Sequence, residues 1–408
     1  MSQSFGPSSS HAVAFDPGAP EFISDPYPVY ARLRREDPIH ESPRGYWVMT
    51  RHDDIQEALR DPRLGNEPSR YSVLNRRNSE RYVSADVAND ILPFIDPPRH
   101  GPVRRWIAKS FREQMKHGPL DVHGVAKRLL QEPLQKGEMD LIHDFGTPLS
   151  VSVISKLLGV PQEDEAHLKS LSELFFYLFV PIPSKEVFDE MEVALRAFRE
   201  YFLRLLEARR KSPRDDLVSR FLALQAGTDP PSDIELADTC MLLFADGVEN
   251  IDSAIANGVV ALLAHPGQLD LLRREPERIN DAVEEVLRYD PPAQLIGRIA
   301  NEDLKLRDKT IRKNQPILLM LASANRDPEH FENPETLDIT RKPGSMLSFG
   351  RGRHLCIGAP LVRAEMAIGL GSIVEHLGNL TCLEAPLRWK PRMGHRWLAS
   401  LRVSFDAA

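Results

Sequence analysis

The chain has 408 residues, of which 42% are hydrophobic and 27% are charged, and its net charge is −7. A chain of this length and composition can bury a large core. The acidic balance and the lack of long runs of like charge argue against nucleic-acid binding.

The three cysteines, Cys240, Cys356 and Cys382, are too few and too scattered for a disulfide framework or a zinc site. They therefore indicate a reducing compartment, and we expect a cytoplasmic protein. No run approaches ~18 uninterrupted apolar residues, and the N-terminus lacks the pattern of a signal peptide, so no membrane anchor is expected. Residues 1–11, rich in Ser and Gly, are predicted to be disordered, and residues 12–408 to form a single domain.

Hydrophobic periodicity predicts a mainly helical fold with a small β portion. The predicted helices cover residues 26–35, 53–60, 103–111, 122–130, 151–158, 164–179, 185–211, 234–264 and 359–370. Short strands are predicted at residues 46–50, 304–306, 316–319 and 401–405. The stretch 62–98 is polar and irregular, which predicts a functional lid or binding loop.

The most informative segment is F-G-R-G-R-H-L-C-I-G at residues 349–358, which sets Cys356 in a glycine-punctuated turn before a helix. Gly350 and Gly352 let the chain pass close to a flat macrocycle, and Gly358 leaves room for the helix, whose dipole favours a thiolate. A thiolate on haem iron favours O–O cleavage. We therefore interpret Cys356 as an iron ligand; the alternative is a buried structural cysteine.

This segment resembles the haem-binding loop of the cytochrome P450 family, and it matches the family pattern Phe-Gly-x-Gly-x-His-x-Cys-x-Gly at every fixed position. The resemblance implies the cytochrome P450 fold, mainly α with small β-sheets in one large haem-enclosing domain, of the soluble bacterial type. It also implies haem b with the Cys356 thiolate as axial ligand. The family's cofactor contacts fall here on Phe349, Gly350, Gly358 and Gly247.

Four further residues match family positions that bind the haem propionates: His100, Arg104, Arg298 and His354. Two buried carboxylates need cationic or donor partners of this kind. Taken singly, each residue has the alternative of being a surface or capping residue.

Glu285 and Arg288 lie three apart on a predicted helix and can pair on one face. The plain alternative is a solvated surface pair. By resemblance the pair is a buried structural brace for the cysteine pocket. The family often completes this brace with a basic residue where this chain has Thr336, and whether nearby Arg341 substitutes stays open.

The segment L-L-F-A-D-G-V-E-N-I-D at residues 242–252 aligns with the family element that crosses the oxygen-binding face of haem. Gly247 and Glu249 match, whereas Asn250 stands where threonine is expected and Asp246 where a small residue is expected. An amide donates a hydrogen bond but does not relay a proton as a hydroxyl does. We hypothesise that Asn250 orients a distal water that Glu249 and Asp246 supply with protons. The alternative is that Asp246 pairs with a basic side chain or the substrate, or points away.

Basic residues lie close in the sequence to the predicted propionate ligands and to the cysteine loop: Arg105, Lys109, Arg112, Arg351 and Arg353. In an acidic protein such a cluster favours docking of an acidic ferredoxin or flavodoxin, supplied by an NAD(P)H-dependent reductase. The alternative is a set of ordinary helix-face charges.

By resemblance, the substrate pocket is formed by segments 62–98, 173–187, 242–249 and 293–296 and by the turn near residue 397. The predicted lining residues are Phe179, Val180, Leu243, Ala245, Leu295, Ile296, Trp397 and Leu398. The aromatic residues suit a small, largely apolar organic molecule, although such stripes are often plain core. The loop arginines Arg70, Arg76, Arg77 and Arg81 point either to a carboxylate or carrier-protein-linked substrate or to a solvated loop.

The resemblance therefore implies a haem-thiolate monooxygenase that inserts one atom of O2 into the substrate by hydroxylation or epoxidation, and a monomer. One alternative uses the same haem for oxidative coupling, desaturation or peroxide-driven oxidation. Another, of a different class, is a non-catalytic haem-binding sensor or carrier.

Overall fold

The computed structural model describes residues 15–70, 72–117, 120–225, 227, 230–342 and 344–407. The predicted disordered segment 1–11 lies outside these residues. The α-helices of the described residues are α1 Pro20–Ser24, α2 Tyr27–Glu36, α3 His52–Ala58, α4 Val83–Asp90, α5 His100–His117, α6 Val122–Lys136, α7 Thr147–Leu158, α8 Glu165–Phe175, α9 Lys185–Lys211, α10 Leu217–Leu224, α11 Asp233–Ala264, α12 Pro266–Arg274, α13 Ile279–Tyr289, α14 Leu321–Ala324 and α15 Ala359–His376.

The strands are short and form three small sheets. They are β1 Ile39–Glu41, β2 Trp47–Met49, β3 Leu64–Gly65, β4 Glu138–Asp140, β5 Ile296–Ala300, β6 Leu304–Leu306, β7 Lys309–Ile311, β8 Pro316–Leu319, β9 Leu377–Cys382 and β10 Arg402–Ala407. The largest sheet has the order β1-β2-β8-β5-β3, in which β2 and β8 run parallel and the other pairs antiparallel. Strands β4, β10 and β9 form a second sheet, and β6 and β7 form a hairpin.

Helix α11 runs through the centre of the fold and packs against α7, α8, α9, α13 and α15. Most of its residues are buried on all sides, as expected of a helix that is apolar around its circumference. A capping box between Ser232 and Glu235 fixes its N-terminus. The central helix thereby holds residues 242–252 in the interior of the molecule.

The structure confirms the predicted fold class and each predicted helix, although several boundaries move. Helix α5 begins at His100 and continues to His117, beyond the predicted 103–111. The predicted helix 164–179 is divided into α8 and a 3₁₀ turn at Phe176–Leu178. Strands β1, β3, β4, β5, β7 and β9 were not predicted, because strands this short owe their structure to pairing with other segments.

The prediction that 62–98 is an irregular loop is wrong for its second half. This stretch contains α4, a 3₁₀ turn at Arg76–Asn78 and another at Leu92–Phe94. Helix α4 buries Ala85, Val87 and Ala88, and its first backbone N–H groups donate to the Glu192 carboxylate of α9 at 2.8 and 2.9 Å. A distant side chain thus caps the helix, so no local sequence signal marks its start.

Among the helices of the described residues, none is both long and apolar enough to cross a bilayer.

Candidate active site

The cysteine loop adopts the strained turn that its glycines permit. Gly350 and Gly352 have positive φ angles of 66° and 71°, a region that side chains other than glycine rarely enter. The Gly352 position also lies against the Leu59 carbonyl oxygen, which would be 2.9 Å from an added Cβ. The N–H of Cys356 donates to the Phe349 carbonyl at 3.0 Å, which closes the turn.

The Cys356 side chain is accessible, yet burial raises the pKa of its thiol to about 11, with the Asp246 carboxylate acting in the same direction. An accessible atom that is nevertheless surrounded by protein faces an interior space. The backbone N–H groups of Gly358 and Ala359, at the start of α15, act in the opposite direction and favour the thiolate. The Cys356 sulfur therefore lies near Asp246 of α11, and we refer to the space that the sulfur faces as the cavity.

A cluster of donors and cations lies beside this cavity. The rings of His100 and His354 are 4.2 Å apart, and the Nε2 atoms of both are buried without a hydrogen-bond partner. Arg104 donates to the Leu355 carbonyl at 2.6 Å, and burial lowers the pKa of Arg298 to about 10. Burial, His100 and three arginines lower the pKa of His354 to about 3.

Within the described part of the chain, none of these four side chains forms an ion pair with a carboxylate. Buried cations and unpartnered donors are costly unless an anion joins them. The two carboxylates of haem, beside an accessible cysteine sulfur, supply what this arrangement lacks. The residues present therefore fit the cofactor that the cysteine loop implied.

On α11, Asp246 and Asn250 lie one helical turn apart and therefore share a face. Burial raises the pKa of Asp246 to about 7, and among the described residues no basic side chain opposes this effect. The Oδ1 atom of Asn250 is buried without a partner. The Asp246 carboxylate also raises the pKa of the Cys356 thiol. This face of the helix therefore borders the cavity.

Glu249 has a different environment. Its Oε1 accepts hydrogen bonds from Lys169 Nζ at 2.6 Å and from Ser172 Oγ at 2.7 Å, both on α8. Gly247 lies against α7, where an added Cβ would come within 2.9 Å of Ile154. The roles predicted for Glu249 in proton supply and for Gly247 beside the cofactor stay predictions.

The brace has three members, of which Glu285 and Arg288 are buried and Arg341 is half-buried. Arg288 makes two hydrogen bonds of 2.8 Å to Glu285, and Arg341 donates to the same carboxylate at 3.1 Å. Arg288 and Arg341 also donate to the Thr336 carbonyl. The sequence left open what completes the brace; in the structure Arg341 occupies that place, and Thr336 contributes only its backbone.

Segments predicted to line the pocket meet in the structure. Phe94 stacks on Phe179 with the ring centres 5.1 Å apart, which joins the 62–98 stretch to the residue after the 3₁₀ turn that follows α8. Phe176 contacts Trp397 at 4.8 Å. Among the predicted lining residues, Trp397, Leu398 and Ala245 are buried, whereas the remaining five are half-buried: Phe179, Val180, Leu243, Leu295 and Ile296.

The basic residues predicted to dock the electron carrier divide into two groups. Arg105, Lys109 and Arg112 are exposed along α5, whereas Arg351 and Arg353 of the cysteine loop are half-buried. The positive charge of Arg353 helps to lower the pKa values of His100, Arg298 and His354. Arg353 therefore lies beside the donor cluster, which consists of His100, Arg104, Arg298 and His354.

Sequence reasoning missed His395 and Lys169. His395 pairs through its backbone with Ala293 and contacts Phe176 at 5.3 Å. Neither residue belongs to a recognisable local pattern, because each owes its place to tertiary packing.

The profile of the cytochrome P450 family matches residues 162–386. A biotin-biosynthesis cytochrome P450 of Bacillus subtilis (strain 168) is 33% identical over 399 residues, covering 97% of this chain and 100% of that protein. Vitamin D(3) 25-hydroxylase of Pseudonocardia autotrophica is 35% identical over 358 residues, 86% of each chain. The crystal structure of P450BioI with hexadec-9Z-enoic acid ligated acyl carrier protein superposes with a TM-score of 0.87 at 32% identity, covering 95% of this chain and 99% of that one.

The chain belongs to the cytochrome P450 family. It is an oxidoreductase of the monooxygenase type, whose cofactor is haem b with a cysteine thiolate as axial ligand. Family membership and the geometry of the cavity thus lead independently to the same cofactor.

Proposed function

We propose that Cys356 is the axial iron ligand and that the donor cluster binds the haem propionates. The observation that carries this proposal is the pair of buried, unpartnered Nε2 atoms of His100 and His354 beside the accessible sulfur. Haem bound through a thiolate activates dioxygen by favouring O–O cleavage. The chain supplies the sulfur, neutralises the propionates and separates the site from bulk water.

We infer that Asp246 and Asn250 provide the final step of proton delivery. Asp246, with a pKa near 7, holds a proton over part of the neutral pH range and can release it within the cavity. Asn250 cannot relay a proton, so its amide fixes the water that does. Glu249 is held by Lys169 on α8, and we infer that this pair links the cavity to the solvent side.

The test is the peroxide released per NAD(P)H consumed, which needs no knowledge of the natural substrate. Asn250→Ala is expected to raise this ratio about tenfold, since the water that delivers the proton loses its position and a positioned proton donor contributes at least that factor. Asn250→Thr, which restores a hydroxyl, is the matched control and is expected to keep the ratio low. An unchanged ratio in Asn250→Ala would remove Asn250 from the mechanism.

We propose a small, largely apolar organic substrate that is hydroxylated or epoxidised, in secondary metabolism or catabolism. The aromatic contacts among Phe94, Phe176, Phe179 and Trp397 support an apolar pocket. The acyl-carrier-protein complex of P450BioI supports a carrier-linked substrate as a specific form of this proposal. The exposed side chains of Arg76, Arg77 and Arg81 agree with a carboxylate or an acidic carrier.

We further propose that a ferredoxin or flavodoxin with its NAD(P)H-dependent reductase delivers the electrons, and that the enzyme acts as a cytoplasmic monomer. The exposed row Arg105, Lys109 and Arg112 supports docking of an acidic electron carrier.

A further inference from the structure

The two arms of the cysteine loop are joined by a contact that spans the sulfur. Phe349 lies seven residues before Cys356, and Arg363 lies seven residues after it, on α15. The Arg363 guanidinium lies over the Phe349 ring, with its central carbon 4.5 Å from the ring centre. A cation in this position is attracted by the negative face of the ring. The contact therefore holds Phe349 against the helix that follows the cysteine.

Glu284 of α13 keeps the Arg363 side chain in this position. The Glu284 carboxylate accepts hydrogen bonds from Nε and Nη2 of Arg363, the second at 3.1 Å. Such a two-point contact fixes the plane of the guanidinium as well as its charge. The next residue, Glu285, accepts from the arginines of the brace. Two consecutive acids of α13 thus support the cysteine loop and the segment that precedes it.

Both of the joined arms contact the cysteine. The Phe349 carbonyl accepts from the Cys356 N–H at 3.0 Å. On the other arm, Gly358 precedes the first residue of α15, and a Cβ added to Gly358 would lie 3.8 Å from the Cys356 sulfur. The start of a helix favours a thiolate over a thiol. The position of the sulfur at this helix end therefore depends on how firmly the two arms are held together.

The plain alternative is an ordinary surface ion pair. The side chains of Arg363 and Glu284 are 40% and 29% exposed, so their mutual attraction alone contributes little to stability. Arg278 and Glu275 form a pair of similar exposure. Among the described residues, only the first of these two pairs has a ring of the cysteine loop beneath its guanidinium.

We propose that Arg363 is a positioning residue that acts through Phe349 to hold the Cys356 sulfur at the start of α15, and so limits how strongly the thiolate donates to the iron. The proposal rests on the proposed function, since it takes Cys356 as the axial ligand. Hydrogen bonds and dipoles around a ligating sulfur withdraw charge from it and raise the reduction potential of the metal. Loss of the contact is therefore expected to make this potential more negative.

A spectroelectrochemical titration of the haem-loaded protein measures this potential. Arg363→Met removes the guanidinium and keeps an unbranched side chain. At the potential where the wild type is half reduced, we expect the ratio of reduced to oxidised haem in this variant to be about three to five times lower, the value of one such contact. Arg278→Met, the matched control, should leave the ratio unchanged.

A double-mutant cycle with Phe349→Leu separates position from charge. Because Arg363 acts through the ring, Arg363→Met is expected to have no further effect on the potential once the ring is removed. Arg363→Lys keeps the charge but loses the planar two-point contact with Glu284, so it is expected to show most of the shift. The lysine variant also keeps the proposal testable if Arg363→Met fails to retain haem.

Equal potentials of Arg363→Met and the wild type would overturn the proposal. An undiminished effect of Arg363→Met in the Phe349→Leu background, or a wild-type potential in Arg363→Lys, would also overturn it, because either result assigns the effect to charge alone. The carbon monoxide spectrum distinguishes these outcomes from a failure of the proposed function, since a histidine-type band from the wild type would reject Cys356 itself.

Discussion

At the level of single residues, the chain departs from its family where the central helix borders the cavity. Asp246 and Asn250 place an acid and an amide on the face where the family has a small residue and a threonine. Burial raises the pKa of Asp246 to about 7, and in the part of the chain that the structure describes no cation counteracts this effect. We propose that the pair replaces a hydroxyl relay with an acid and an amide-held water.

Glu365 is the clearest buried acid outside this cavity. It lies on α15 with none of its surface exposed, both carboxyl oxygens lack a partner, and burial raises its pKa well above the usual value. The folded protein therefore holds a proton on Glu365 that the unfolded chain releases above about pH 4.5. The stability of the wild type should fall as the pH rises through this range.

Glu365→Gln removes this proton linkage while keeping the shape of the side chain. We expect its stability relative to the wild type to increase between about pH 5 and pH 8, with a slope approaching 1.4 kcal/mol per pH unit wherever the native carboxyl stays protonated. Urea unfolding at several pH values measures this difference. A pH-independent difference would show that Glu365 is ionised in the folded protein.

At the level of elements, the brace joins α13 to the segment that precedes the cysteine loop. Glu285 is 4% exposed and accepts from Arg288, Arg341 and the Asp338 N–H, so its charge is compensated from two directions. Loss of one partner of a buried carboxylate is costly because desolvation remains.

Arg341→Gln is therefore expected to lower the free energy of unfolding by about 1–3 kcal/mol and to weaken haem retention. Arg312→Gln, which removes an exposed pair with Asp303, is the control and should change stability by less than about 0.5 kcal/mol. Equal effects of the two substitutions would mean that Arg341 contributes no more than a surface ion pair.

One arginine of α9 links helix α4 to the central helix. Arg199 of α9 lies 2.7 Å from Asp86 of α4 and 2.6 Å from Asp238 of α11, which is fully buried. We expect Arg199→Met to speed hydrogen exchange in residues 83–90 by at least about tenfold, because it leaves a buried carboxylate without its partner. Glu207→Gln, on an exposed pair of the same helix, should leave this exchange unaltered. Slow exchange in Arg199→Met would contradict the role of Arg199.

The sequence predicted elements well where the pattern is local and long. Helix α9 begins and ends at the predicted residues, since Ser184 caps its start and three basic residues occupy its last turn. Helix α4 was missed because its cap is Glu192, more than a hundred residues away. The sequence offered Arg341 as a candidate for the brace but could not establish its contact with Glu285, because that contact depends on how the chain folds back on α13.

At the level of the whole molecule, a net negative protein presents a basic row on α5. Arg112→Glu is expected to slow reduction by an acidic ferredoxin about tenfold at low salt, and the difference should shrink as ionic strength rises. Arg77→Glu, an exposed substitution in the segment before α4, is the matched control and should leave the rate close to that of the wild type. An equal loss in both variants would indicate a general charge effect rather than a docking site.

The motifs around Cys356 were enough to predict the fold and the cofactor, because a family fold follows from a few specific positions. They did not predict His395, whose neutral state depends on the packing of Phe176, Trp397 and Arg392 around it. Tertiary contacts of this kind leave no local pattern, so the sequence alone describes the chemistry better than the specificity.

The most direct test of the account is the spectrum of the reduced carbon monoxide adduct of the purified protein. The wild type is expected to give the absorption band typical of a cysteine thiolate ligand, and Cys356→His the band typical of histidine ligation. A colourless wild-type protein, or a histidine-type band from the native wild type, would contradict the assignment of Cys356 and the site built around it.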